Sequence, residues 1–164
     1  MSILLSSAEI FDLAKAVEKG GQAYYQAVAS STASPELKEL FEHLAAQELV
    51  HYRTFEKLAR LYPELEVDEQ EWDQTRAYIQ ATSDSRFFVG EDKALSLAKT
   101  VKEPLKAVDI AIGFEKDTLL FFYELLAVTP AKGREATQAI IEEEKRHVLV
   151  LSERRKRFAG GSKS

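Results

Sequence analysis

The sequence predicts an all-α protein: a four-helix bundle made of two antiparallel helix hairpins joined by a long crossover that carries short helices. Three observations predict it. Four long stretches place apolar residues at helical spacing with few interior breakers, prolines and small polar residues sit where those stretches begin and end, and the connections are short, long and short in turn. The 164 residues and 18.5 kDa suit one domain over 1–164 with a sizeable core.

The first helix is expected over about 8–30. Ser6 followed by Glu9 resembles a capping box, and Ile10, Leu13, Ala14, Val17, Ala23, Ala27 and Val28 supply the apolar stripe. The turn Ser30-Ser31-Thr32-Ala33-Ser34 leads to Pro35, a first-turn proline that opens the second helix, about 35–61, which Tyr62-Pro63 ends. Periodicity weakens over the crossover, about 62–103. Its acidic start, Glu64 to Asp73, reads as a solvated connection, with a short helix near Glu71 to Ala81. Pro104 opens the third and most apolar helix, about 104–127. After Thr129-Pro130 the fourth runs about 131–157, with Arg154 to Arg157 complementing its C-terminus, Gly160 just beyond, and a frayed tail over Gly161 to Ser164. Helices of about 23 to 27 residues are roughly 35 to 40 Å long and pack as a bundle. Short turns make the first and second helices, and the third and fourth, antiparallel neighbours. A crossover of about 40 residues can travel the length of the bundle and make the second and third helices parallel.

Composition narrows the chemistry. With no cysteine, disulfides, thiol catalysis, Cys-held zinc and iron–sulfur or rubredoxin-type centres are excluded within this polypeptide, so any metal must be held by Glu, Asp and His. A formal charge of −5 disfavours a general nucleic-acid surface. No apolar run reaches the roughly 18 to 20 residues of a membrane span, and Met1 to Ser7 lacks the basic region of a secretory signal, so no membrane association and a cytoplasmic location are expected.

Two of the three histidines carry the chemical signal. Glu48 precedes His51 by three residues and Glu144 precedes His147 by three. Positions i and i+3 of a helix differ by about 60° and about 4.5 Å, so a carboxylate and an imidazole can reach one cation from the same face. Glu48 and Glu144 lie near the midpoints of the second and fourth helices. Glu18 and Glu115 lie near the midpoints of the first and third, so four carboxylates share one level of the bundle. Glu115 stands within the most apolar helix, where an unpaired carboxylate is costly. Adding 96 to a residue number in the second helix carries Glu48 to Glu144 and His51 to His147, with Leu44 on Ile140 and Phe55 on Leu151. Glu143 is also one turn from His147, but the same shift gives it Gln47 as counterpart, so Glu144 is the preferred ligand. Four carboxylates and two neutral imidazoles match two divalent cations. Oxygen donors with one nitrogen per ion favour two iron ions, with manganese or a mixed iron–manganese pair as the alternative.

A Glu on the first and third helices with Glu-x-x-His on the second and fourth resembles the ligand set of ferritin-like di-iron or di-manganese carboxylate proteins. The likeness covers about residues 8–157. Within that group the chain is similar to the rubrerythrins, through Glu18-Lys19-Gly20-Gly21-Gln22-Ala23-Tyr24-Tyr25, Glu48-Leu49-Val50-His51, Glu115 through Tyr123, and Glu144-Lys145-Arg146-His147. The resemblance implies that Glu18 and Glu115 are terminal ligands or change denticity, Glu48 and Glu144 bridges, and His51 and His147 one nitrogen ligand to each ion. It also makes Tyr25 the tyrosine that hydrogen-bonds a ligand carboxylate, with Tyr123 a weaker candidate. Two departures stand out: Thr118 occupies the position where rubrerythrins carry a further glutamate, and the Cys-rich rubredoxin domain has no counterpart. Haem is not expected, because bacterioferritin holds it by methionine and the only Met is Met1.

The activity so implied is a di-iron oxidoreductase that protects against oxidative stress by reducing hydrogen peroxide or dioxygen with electrons from a separate donor, such as a rubredoxin-like protein. The alternatives are a ferroxidase linked to iron storage or delivery, and a non-catalytic, metal-stabilised helical interaction module. A homodimer is expected. Other residues take plainer roles: His43 at the surface, Trp72 anchoring the crossover, and Arg154 to Arg157 as a solvated helix end or a docking patch for an acidic redox partner.

Overall fold

A computed structural model describes residues 2–83 and 91–160. In chain order the elements are β1 (Ser2–Ser6), α1 (Ser7–Ser31), α2 (Pro35–Leu61), β2 (Glu64–Asp68), α3 (Glu69–Ser83), α4 (Glu91–Thr100), α5 (Pro104–Val128) and α6 (Ala131–Gly160). The four long helices match the expected bounds to within a residue, except that α6 runs on to Gly160. The capping-box side chains of Ser6 and Glu9, and the tail after Gly160, lie outside what is described.

The helix ends follow from local chemistry. Ser34 caps α2 by accepting from the Leu37 N–H at 3.3 Å, and Pro35 takes a first-turn position where a backbone donor would have no intrahelical partner. Pro104 does the same for α5, although its cap residue, Glu103, makes no side-chain capping bond. At the other ends, the N–H groups of Tyr62 and Thr129 satisfy the carbonyls of Leu58 and Leu125. Asp68 starts α3 by accepting from the Gln70 and Glu71 N–H groups at 3.0 and 3.1 Å.

Cross-bundle contacts fix the helix directions. Tyr24 on the second half of α1 donates to the Ala107 carbonyl near the start of α5 at 2.9 Å. Arg154 and Arg155 on the last turns of α6 pair with Glu36 at the start of α2 and Asp109 at the start of α5. Leu58 and Tyr62, at the end of α2, border Gly133 at the start of α6, beside Thr129. Thus α2 and α5 run the same way while α1 and α6 run against them, as the long crossover requires. The basic run tethers α6 to both neighbours, and just beyond the expected end Phe158 packs against the core.

The crossover departs from expectation in its first residues. Glu64-Leu65-Glu66-Val67-Asp68 does not remain a solvated connection; it forms a two-stranded antiparallel ribbon with β1, in the register Ile3↔Val67, Leu4↔Glu66 and Leu5↔Leu65. Its strict alternation of acid and aliphatic is the period of a strand with one buried face, and Leu65 is buried. Trp72 on α3 is buried among the same core residues, as its anchoring role requires. The second crossover helix, α4, lies against α1 and buries only alanines, Ala94 and Ala98.

Apolar side chains pack as two clusters. One holds Phe11, Val17, Phe55, Phe122 and Ile141; the other holds Tyr25, Phe41, Leu44, Ala111 and Leu151. Along each long helix the sequence passes from one cluster to the other, and the crossing falls near residues 18, 48–51, 115 and 144–147. A polar layer therefore divides the core.

Candidate metal centre

That layer consists of Glu18 from α1, Glu48 and His51 from α2, Glu115 from α5, and Glu144 and His147 from α6. The four carboxylates are at most 1% exposed, His51 is 1% exposed and His147 is 6% exposed. Each helix contributes because one face of its apolar stripe is interrupted by a charged residue at mid-length. The three-residue spacing in α2 and α6 brings the imidazole onto the same face as its glutamate.

The six side chains form two overlapping groups. Glu18, Glu48, His51 and Glu144 offer one ligand atom each within 4.8 Å of one another, and so do Glu48, Glu115, Glu144 and His147. Glu48 and Glu144 belong to both. His51 Nδ1 lies 2.7 Å from Glu144, 3.6 Å from Glu18 and 3.8 Å from Glu48. His147 Nδ1 lies 3.0 Å from Glu144, 3.4 Å from Glu115 and 3.6 Å from Glu48. The rings are stacked, with centroids 5.7 Å apart. Every residue expected as a ligand is thus brought to one place. Glu143, the competitor of Glu144, is turned out of the group, with its side chain 34% exposed.

The donor atoms ask for cations. Both oxygens of Glu18 and of Glu144, one each of Glu48 and Glu115, and Nδ1 of both histidines are buried and face only other members of the set, with no hydrogen-bond partner outside it among the described residues. Orphaned acceptors on that scale carry a desolvation cost that two divalent cations remove, and an oxygen-rich set with one nitrogen per group fits hard to borderline metals. The residues therefore fit a pair of metal ions.

Without cations the charges are managed by protons. Burial, then repulsion from Glu144, pushes Glu115 up to about 8, against the pull of His147. Burial raises Glu18 to about 7, although hydrogen bonds with Glu48 and His51 work the other way. Glu48 stands well above the ordinary value, through burial and then the Glu18 and Glu115 charges. For Glu144 burial and Glu48 push upward, but hydrogen bonding to the two histidines prevails and holds it low. Burial opposes charge on His147, yet hydrogen bonds to Glu115 and Glu144 carry it to about 10, and His51 is raised by Glu144, Glu18 and Glu48 in the same way. Cations entering this layer must displace those protons.

Around the layer, Tyr25 donates its hydroxyl to Glu115 Oε1, the contact expected of it. Tyr123 does not join the site: it is 44% exposed, with the Lys145 ammonium over its ring. At about 100° per residue it points about 100° from the buried Phe122 and about 160° from the buried Phe121, which leaves it facing outward. Gly21, one turn beyond Glu18, permits a close approach. A Cβ there would fall 2.8 Å from the Phe114 ring and 3.4 Å from the Glu48 carboxyl carbon. Thr118 is buried with its hydroxyl unpaired, whereas Thr129 and Thr137 bond back to their own helical carbonyls. His43 is exposed, as expected.

The helix order, the crossover and the carboxylate–histidine layer define a ferritin-like helical bundle. The protein belongs to the rubrerythrin family, whose family model matches residues 9–153. Among solved structures, a Thermotoga maritima protein described as a ferritin-like diiron-carboxylate protein is similar in fold, with a TM-score of 0.68 and 23% identity over 93% of this chain and 95% of that one. No match was found among curated proteins. No helix among the described residues is long and apolar enough to cross a membrane.

Proposed function

We propose that the protein is a di-iron oxidoreductase that reduces hydrogen peroxide, or dioxygen, with electrons from a separate donor, and so protects against oxidative stress. The observation that carries this reading is the pair of overlapping ligand groups sharing Glu48 and Glu144, sealed between two apolar clusters. When bound, two ferrous ions supply the two electrons that, with two protons, convert hydrogen peroxide into two molecules of water; the donor then restores the electrons.

The chain's own residues do the rest. Glu48 and Glu144 each present oxygens to both groups, Glu18 and His51 complete one, and Glu115 and His147 complete the other. Tyr25 fixes the Glu115 carboxylate by donating to Oε1, so that its second oxygen, Oε2, remains free for a cation. Phe55 and Phe122 on one side, and Tyr25 and Phe41 on the other, keep bulk water from the layer. His147 has the most exposed ring of the set, next to a surface pocket of about 280 Å³ through which a small neutral oxidant can approach. These 164 residues hold no cysteine and so no thiolate-held redox centre, and the reading assigns the reductant's role to a separate donor.

The test is anaerobic loading with ferrous iron followed by rapid mixing with hydrogen peroxide or with dioxygen. The reading predicts oxidation of two ferrous ions per peroxide, faster than by dioxygen, and re-reduction by an added donor. Preferential oxidation by dioxygen with iron accumulating in a large assembly would favour storage instead. Failure to take up iron would leave a non-catalytic helical module.

A further inference from the structure

The internal repeat breaks at one position just outside the cluster. The shift of 96 that superimposes Glu48-x-x-His51 on Glu144-x-x-His147 places the neutral Gln47 on the acidic Glu143. Glu143 crosses from α6 to α2, and its Oε2 lies 2.7 Å from Nε2 of His51. Its other oxygen is 3.5 Å from Arg146, one turn further along α6. His51 is therefore gripped at both ring nitrogens. With a cation at Nδ1, the ring proton would sit on Nε2 and be donated to Glu143.

His147 lacks this arrangement. All three of its acidic contacts are made by Nδ1, and no carboxylate is paired with its Nε2 among the described residues. Its ring borders the pocket of about 280 Å³ that Gln47, His43, Arg146 and Glu143 itself also line, whereas the His51 ring does not reach that lining. A carboxylate behind a ligating imidazole fixes its orientation and tautomer and raises its basicity, and loss of such a partner typically costs about 10- to 100-fold in metal affinity. The position with that support is also the one whose histidine is the more deeply buried.

We propose that Glu143 is a positioning residue that makes the two cation positions unequal. The position bounded by Glu18 and His51 fills first and holds its ion more tightly, and the position bounded by Glu115 and His147, beside the pocket, fills last and exchanges. This rests on the two-ion reading above and adds the order of loading, which pseudo-symmetry alone would leave equal.

The experiment is anaerobic titration of the metal-free full chain with Co(II), followed by calorimetry and ligand-field absorption. Wild type should bind two ions in steps differing by tenfold or more. Glu143→Ala should weaken the first step by about 10- to 100-fold and spare the second. Glu143→Gln, which keeps an acceptor but no charge, should fall between, and Gln47→Glu should tighten the second step. Location is tested in two backgrounds. Glu143→Ala should have no further effect when Glu18→Ala has already crippled its position, and should keep its full effect beside Glu115→Ala. Two equal steps in wild type, or a Glu143→Ala loss shared by both steps or by neither, would overturn the proposal while leaving the two-ion site intact. Uptake of fewer than two ions by wild type would overturn the underlying reading as well.

Discussion

Glu115→Gln isolates the electrostatic cost of the metal-free layer. The replacement has nearly the same shape and keeps an Oε1 acceptor for the Tyr25 hydroxyl, so packing and that hydrogen bond are retained. What it removes is an ionisation displaced from 4.5 in the unfolded chain to about 8 in the fold. Between those values the folded wild type holds a proton that the unfolded chain has released, so wild-type stability falls as pH rises, by about 1.4 kcal/mol per pH unit from this group. Glutamine has no such slope. The metal-free variant should therefore match wild type near pH 4.5 and gain on it steadily up to about pH 8. The final difference is several kcal/mol, a large share of the ~5 to 15 kcal/mol that holds a domain folded. His147 adds to the same sign toward pH 10, because glutamine no longer helps to keep that ring protonated. Urea unfolding of chelator-treated protein at pH 5, 6.5 and 8 measures the difference directly. A stability difference that stays constant across those three pH values would refute the electrostatic reasoning.

Gly21→Ala should destabilise the metal-free chain and weaken metal binding, because the new methyl meets the Phe114 ring at 2.8 Å and the Glu48 carboxyl at 3.4 Å. Overpacking of about 1 to 3 kcal/mol outweighs the roughly 1 kcal/mol gained in helix propensity, and a variant more stable than wild type in urea would contradict the close approach. Tyr25→Phe leaves Glu115 Oε1 without its donor and should cost about 1 to 3 kcal/mol by the same assay; an unchanged midpoint would mean the hydroxyl does not hold that carboxylate. Thr118→Val, which removes a buried hydroxyl that has no partner, should be neutral or stabilising in the metal-free chain. Thr129→Val, which loses a 2.7 Å bond to the Leu125 carbonyl, should be destabilising, and thermal melts showing the two valines equally harmful would go against the assignment of partners.

The long helices were legible because their punctuation is covalent chemistry: Pro35, Pro104 and Pro130 cannot continue a preceding helix and favour opening a new one. The candidate cluster was legible because mid-helix charge within an apolar stripe has few explanations, and a repeat doubled the signal at Glu48, His51, Glu144 and His147. The ribbon was hidden for a physical reason. Glu64 to Asp68 alternates over only five residues, and its partner lies more than fifty residues earlier, so the pairing depends on tertiary placement that no local window contains. Helix α6 runs past its expected end, where Phe158 packs against a core cluster built largely from other helices. The bond from Glu143 to His51 likewise joins residues 92 apart in sequence. Its only sequence trace was the mismatch with Gln47, which served to reject Glu143 as a ligand and held, unread, its role behind the other helix's histidine.

The central claim is that Glu18, Glu48, His51, Glu115, Glu144 and His147 enclose two metal ions. Anomalous diffraction at the iron edge from crystals of protein loaded anaerobically with ferrous iron addresses it most directly. Two peaks within about 4 Å of each other, between the two histidine rings and in contact with Glu48 and Glu144, are predicted. A single peak, or iron found only at the surface while the layer stays free of anomalous density, would contradict the claim.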